Sequence, residues 1–230
     1  MDIITLALGA ASSLFSATSA LLEPVAGDAS AALAIVLVTL GIRTVLIPVG
    51  LSSVRADLTR RRLAPRLAVL RRRWSKSPQR LATETRELYR AEHVSPFAGV
   101  LPSLAQLPVL SAVYGVFTHP VIGGAANTLL AAGLANVPLG TSLLASFSVG
   151  PTGVLVAVAV LAAVVVIGLL SRRQAVGWAL ERTRTTDLLS WLALASAVFA
   201  LFAPLAAGVY LVVSQGWALA ERAIMRRALA

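Results

Sequence analysis

Apolar residues run along this chain in long unbroken blocks separated by short polar stretches, without the alternation of half-buried strands. At about 1.5 Å per residue, a block of about 20 residues crosses the roughly 30 Å hydrocarbon core of a bilayer. Residues 31–51, 96–117 and 151–170 meet that length, and 188–203 and 204–220 are shorter blocks separated at Pro204. The pattern therefore predicts an all-α polytopic membrane protein with five transmembrane helices, TM1 to TM5 in that order. Pro102 and Pro108 fall inside TM2, where neighbouring helices must satisfy the carbonyls they free.

An earlier apolar block, 3–22, is rich in Ala and Ser and is broken by Glu23-Pro24 and Gly27-Asp28. Met1-Asp2 leads into it without the basic flank of a signal peptide. Residues 1–30 are expected to form an extracytoplasmic interfacial or re-entrant helix, a full span being the rival reading. Residues 118–150 carry no charge apart from protonation of His119, and are rich in Gly, Pro, Asn and Ser. They predict an outward-facing loop with one helix at the interface.

Residues 52–95 are polar. Leu63, Leu67, Leu70 and Trp74 make one helical stripe, Leu81 and Leu88 a second, and Lys76-Ser77-Pro78 a turn between them. This predicts an antiparallel helical hairpin between TM1 and TM2, with Pro65 starting or kinking its first arm.

Composition agrees with a membrane class: 57% of residues are hydrophobic and mean hydropathy is +0.82. There is no Cys, and His93 and His119 stand far apart, so disulfides, thiolate chemistry and a metal site are not expected. No span contains Asp, Glu, His or Cys, and there is neither a Gly-x-Ser-x-Gly elbow nor a His-Glu-x-x-His pair. The expectation is a protein with no catalytic residues and no cofactor.

The net charge of +10 suggests a polyanionic partner, but its distribution suggests topology instead. Residues 52–95 hold 12 Lys and Arg against 4 acids, residues 171–187 hold four Arg, and residues 221–230 hold three. The outward segments hold none. The positive-inside rule then sets the N-terminus outside and the C-terminus in the cytoplasm. The hairpin has only Trp74 and Tyr89 as aromatics, too few for a stacking platform, so direct DNA binding is not expected.

The one remaining cation, Arg43, lies inside TM1 with no acidic residue in any span. A guanidinium in hydrocarbon marks by default a hydrated cavity, a substrate path or a partner, although it can also snorkel to the interface. Counted from the cytoplasmic ends, Arg43 is about 12 Å deep, Gln106 about 15 Å, and Ser214 and Gln215 about 10 Å. Ser190 and Ser196 fall in the same half of TM4 or near its midplane, whereas TM3 is almost wholly apolar after Thr152. These groups suggest a hydrated chamber open to the cytoplasm and closed outside. Interhelical hydrogen bonding is the plainer role for Gln106 and Gln215.

Four ordered motifs resemble those of the YidC-type membrane protein insertases and their mitochondrial and chloroplast relatives, over about residues 30–225. They are Gly41-Ile42-Arg43 with Pro48; Leu88-Tyr89 through Val94-Ser95-Pro96-Phe97-Ala98-Gly99-Val100-Leu101-Pro102; Gln106-Leu107-Pro108-Val109-Leu110 with Tyr114; and Pro204-Leu205-Ala206-Ala207-Gly208-Val209-Tyr210 followed by Val213-Ser214-Gln215. Ser214-Gln215 stands where that family usually has Ser-Asn, and the tail after TM5 is short.

The resemblance implies a five-helix core around a hydrophilic groove open to cytoplasm and lipid. It implies insertion of membrane proteins in the bacterial cell membrane, alone or beside the Sec translocon. The groove would comprise Arg43, Ser103, Gln106, Ser111, Tyr114, Ser190, Ser196, Tyr210, Ser214 and Gln215. Contact with ribosome, nascent chain or anionic lipid would fall to the hairpin residues Arg60, Arg61, Arg62, Arg71, Arg72, Arg73, Lys76 and Arg80. No small-molecule substrate is expected. A small transporter or channel subunit is the alternative, although paired intramembrane charges and inverted repeats are not visible.

Overall fold

The computed structural model describes residues 3–92, 95, 104, 107–179 and 183–229. These are mostly helical. Clustering of the backbone divides the chain into two compact units, Met1–Val45 with Pro108–Ala220, and Leu46–Leu107 with Glu221–Ala230.

In the first unit, α1 (Ile3–Ala26) leads through a 3₁₀ turn, Gly27–Ala29, into α2 (Ser30–Val45), which packs against it. Gly27 takes φ +51° at this corner, a conformation that glycine adopts without the cost of a Cβ. Phe15 of α1 is fully buried and its ring lies 5.3 Å from that of Phe117. The N-terminal helix is thus part of the unit's apolar core. Two helical stretches, Thr5–Val45 and Pro151–Gly177, are long and apolar enough to cross a membrane.

Of the predicted TM2, the described residues are Leu104 and α5 (Leu107–Thr118); α3 (Ile47–Arg73) and α4 (Pro78–Ala91) belong to the second unit. The segment that follows holds two small hairpins, β1 (Val121–Ile122) with β2 (Ala125–Ala126) and β3 (Gly133–Leu134) with β4 (Val137–Pro138). They are separated by α6 (Thr128–Ala131) and followed by α7 (Leu143–Ser146). Where one interfacial helix was expected, there are thus two one-turn helices and two β-hairpins. The cause is local. Gly123-Gly124 and Ala135-Asn136 all have positive φ, the twist that two-residue hairpin turns require.

Asn127 fixes this segment to α5. It is buried, and its Nδ2 donates to Val116 O at 2.6 Å and His119 O at 3.0 Å, satisfying carbonyls at the helix's C-terminal end.

The chain returns as α8 (Pro151–Gly177), continues through α9 (Arg184–Ser190) and α10 (Leu192–Phe202), and ends in α11 (Leu205–Leu229). Helix α8 continues seven residues past the predicted end of TM3 at 170, and the TM4 block is divided at Trp191. Close approach rests on small residues, as is usual between membrane helices. A Cβ on Gly168 would come within 2.9 Å of Ala193 O on α10, and one on Gly208 within 2.9 Å of Val160 Cγ1 on α8.

Pro204 separates α10 from α11 and leaves the first amides of α11 without helical acceptors. Loop carbonyls supply them: Leu205 N–H donates to Thr141 O at 2.8 Å and Ala206 N–H to Leu139 O at 2.9 Å. In the reverse sense, Leu143 N–H donates to Ala203 O at 3.1 Å. Around this junction Val137, Leu139, Leu143 and Leu205 are fully buried.

In the second unit, α3 (Ile47–Arg73) starts just after Leu46, because Pro48 has no N–H for the carbonyl one turn back. The helical arm therefore begins at Ile47 and runs without interruption past Pro65. Trp74–Ser77 turn the chain into α4 (Pro78–Ala91). Arg62 and Arg66 both pair with Glu92, at 2.7 and 2.5 Å, so α4 lies antiparallel to α3. Leu63 is buried, and Leu67, Leu70, Leu81 and Leu88 are half-buried. The end of α11 packs here too: Arg226 lies 3.7 Å from Asp57. Burial lowers the Arg226 pKa from the usual arginine value, and the Asp57 carboxylate opposes that shift.

Asn127→Ala leaves the buried Val116 carbonyl and the part-buried His119 carbonyl without their side-chain donor. It is expected to destabilise the protein by about 1–3 kcal/mol, read as a lowered thermal midpoint in detergent micelles. An unchanged midpoint would show that this cap contributes nothing.

Candidate polar site within the helical unit

The core of the first unit is apolar at the end built from the β-hairpin segment. Phe15, Val116, Phe117, Leu139, Leu143 and Leu205 are all fully buried there. Tyr210 belongs to this packed region, with its ring 5.7 Å from that of Phe117.

Polar side chains meet one turn further along α11. Ser214 is buried, and its Oγ accepts a hydrogen bond from Nη2 of Arg43 on α2. No carboxylate pairs with Arg43 among the described residues. On the adjoining position, Gln215 Oε1 accepts from Ser196 Oγ of α10 at 3.4 Å, while Ser196 also donates to Ala193 O at 3.1 Å. Tyr114 of α5 is half-buried, with its ring 5.7 Å from Phe199 of α10. Ser111, one turn earlier on α5, is exposed.

The structure thus brings Arg43, Ser196, Ser214 and Gln215 into one layer spanning α2, α10 and α11. Ser190 stands apart: it is buried beside Asp187 and donates to that residue's carbonyl at 2.6 Å. Gln106 and Ser103 lie outside the described residues.

Two polar groups not singled out in the sequence lie beside the following turns of α11. Trp217 Nε1, one turn beyond Ser214, is buried without a hydrogen-bond partner among the described residues. Gln174 Nε2 reaches Leu219 O at 3.4 Å. Gln174 was overlooked because TM3 was ended at residue 170, whereas α8 carries the helix on to Gly177.

Among the cationic residues of the second unit, Arg60 lies 3.5 Å from Asp57 and Arg62 pairs with Glu92. Arg73 and Arg80 flank the Trp74 ring at 5.4 and 5.1 Å from its centroid. Arg71, Arg72 and Lys76 are exposed near that turn, and Arg61 is half-buried. Cation–π contacts of this length hold the tip without consuming its charge.

A bundle of long apolar helices around a buried polar layer is the build of an α-helical integral membrane protein. The chain belongs to the 60Kd inner membrane protein family, whose sequence profile matches residues 21–230. Curated relatives bear the name "Membrane protein insertase YidC". The protein of Clostridium tetani is 35% identical over 86 residues, 37% of this chain and 39% of its own length. That of Paraburkholderia phymatum is 38% identical over 88 residues, 38% of this chain and 16% of its own. That of Clostridium perfringens is 34% identical over 84 residues, 36% of this chain and 35% of its own. The matched stretches thus cover less than half of each relative.

The chain has no native Cys, so accessibility can be read from single introduced thiols. Cysteines at 43 and 215 are expected to react with a water-soluble maleimide at least about tenfold faster than cysteines at 139 and 205. Equal rates at all four positions would overturn the contrast between a polar layer and a packed apolar end.

Proposed function

We propose that this protein is a membrane protein insertase of the bacterial cytoplasmic membrane. Five helices surround a hydrophilic groove that is open to the cytoplasm and centred on Arg43. The N-terminus lies outside, the C-terminus inside, and α3 with α4 forms the cytoplasmic hairpin between TM1 and TM2. The observation that carries the reading is the Arg43–Ser214 contact, a cation inside the helical unit held by a neutral hydroxyl. Family membership and the relatives' printed names support the activity.

The mechanism needs no covalent chemistry. A hydrophobic segment with a short polar flank enters from the cytoplasm. The flank is solvated by Arg43, Ser196, Ser214 and Gln215 while the apolar part moves laterally into lipid. Transfer of roughly 20 apolar residues into the bilayer supplies the driving force. The groove lowers the barrier for the polar flank by replacing hydrocarbon with hydrogen-bonding groups and water. Arg43 is well suited to an acidic or carbonyl-rich flank, because its serine partner leaves its charge uncompensated.

The exposed Arg71, Arg72 and Lys76 at the hairpin tip would meet an anionic partner first: ribosome, acidic nascent chain or lipid headgroup. Assembly with the Sec translocon would serve substrates with larger translocated domains.

In cells depleted of their own insertase, Arg43→Ala is expected to reduce insertion of short-tailed substrates about tenfold. That corresponds to about 1.4 kcal/mol, the size of one hydrogen bond to a charged group. Arg43→Glu is expected to be worse for acidic flanks than for neutral ones. Undiminished insertion of several substrates by both variants would remove Arg43 from the mechanism.

A further inference from the structure

A second polar feature lies apart from the Arg43 layer. A cavity of about 730 Å³ opens between the C-terminal end of α8 and α9, within the size range of small-ligand sites. Arg172 and Arg184 supply two cations to its wall, and Asp187 is the one acid among its lining residues. Val176 and Leu189 form part of its apolar side.

Arg172 is held in place from two directions. Its Nη2 donates to Asp187 Oδ1 at 3.0 Å, and its guanidinium lies 4.2 Å from the centroid of the Trp191 ring. Its Nε is buried without a hydrogen-bond partner among the described residues. Arg184 is exposed and pairs with no carboxylate among the described residues. The described lining residues therefore carry a net positive charge.

Its surroundings select the kind of anion. The cavity sits where α8 passes from Leu169-Leu170 to Arg172-Arg173, the level at which a span meets the headgroups. Adjoining the lining residues Asp187, Leu189 and Ser190 along the chain, Leu188, Trp191 and Leu192 are 72, 50 and 64% exposed. A free inorganic anion would leave these side chains uncovered. A molecule with one anionic end and long apolar chains would cover both surfaces.

We propose that this cavity seats an anionic phospholipid, its phosphodiester facing Arg172 and Arg184 and its acyl chains running along Leu188 and Leu192. Basic recesses between helices on the cytoplasmic side are suited to such headgroups. A lipid bound here would bridge α8 to α9 at the point where Trp191 divides α9 from α10. The proposal rests on the membrane placement of the family and not on insertase activity.

The test uses the full chain in detergent with native mass spectrometry, comparing phosphatidylglycerol with phosphatidylcholine. The unaltered protein is expected to retain phosphatidylglycerol in preference to phosphatidylcholine. Arg172→Gln with Arg184→Gln is expected to reduce that retention at least about fivefold, since both cations that face the phosphodiester are removed.

Arg173→Gln, which changes an exposed neighbour outside the cavity lining, is expected to stay within about twofold. Because Arg172 also supports Asp187 and Trp191, Arg184→Gln alone is the control for folding. It is expected to weaken retention with an unaltered thermal midpoint in lipid-free detergent. Equal retention by the double variant, equal retention of phosphatidylcholine, or complete displacement by millimolar inorganic phosphate would each overturn the lipid assignment. Lost lipid with normal substrate insertion would support the site and separate it from the Arg43 layer.

Discussion

Backbone hydrogen bonding at the Pro204 junction is the constraint on which the helical unit depends. A helix interrupted in an apolar setting exposes amides and carbonyls that water cannot reach, and each unsatisfied group costs several kcal/mol there. Here the cost is avoided by strand-like exchange. Thr141 and Leu139 accept from Leu205 and Ala206, and Ala203 accepts from Leu143. The same exchange brings Val137, Leu139 and Leu143 into the core, where they meet Phe117 and Leu205. Asn127 then ties the loop to the end of α5. One connected set of hydrogen bonds thus closes one end of the unit.

That closure has a consequence for the polar layer. With one end sealed by aliphatic and aromatic packing, the polar groups of α2, α10 and α11 are concentrated beyond it. Tyr210 marks the change: its ring packs on Phe117, while Ser214, one turn later, receives Arg43. Dispersion and small-residue contacts hold the helices together at Gly168 and Gly208, since hydrocarbon offers no hydrophobic incentive for apolar helices to associate. The Arg43–Ser214 and Ser196–Gln215 hydrogen bonds add to that cohesion at one level, where α2, α10 and α11 are joined by polar groups.

Much of this was legible in the sequence because membrane burial acts on long blocks. The helical class, the Pro204 break and the stripe Leu63, Leu67, Leu70 follow from periodicity and from proline's missing donor. The β-hairpins were missed although Val121-Ile122-Gly123-Gly124-Ala125-Ala126 carries a hairpin turn signal, because strands of two residues give no measurable alternation. The interruption at Leu46 was missed because apolar composition continues across Pro48, and hydropathy does not register a lost amide. Depth counting set Arg43 and Ser214 at similar levels, but only the fold supplies the contact between residues so distant in sequence. Gln174 lies past the apolar block of TM3 because a helix does not end where its hydrophobicity does, and Trp217 lies within TM5, where an indole reads as apolar and only the fold shows its buried N–H.

The Arg43–Ser214 contact itself decides what this layer can do. A carboxylate partner would neutralise the guanidinium, and removing it again would leave two charges to be solvated in a poor medium. A serine hydroxyl contributes one hydrogen bond and no charge. Exchanging it for water, a peptide carbonyl or an incoming carboxylate replaces one hydrogen bond with another of equal or greater strength. Such a contact would be stable without a carboxylate and would gain from any stronger acceptor. An ion pair in the same place would be a structural fastener, whereas an arginine on a serine remains available for exchange.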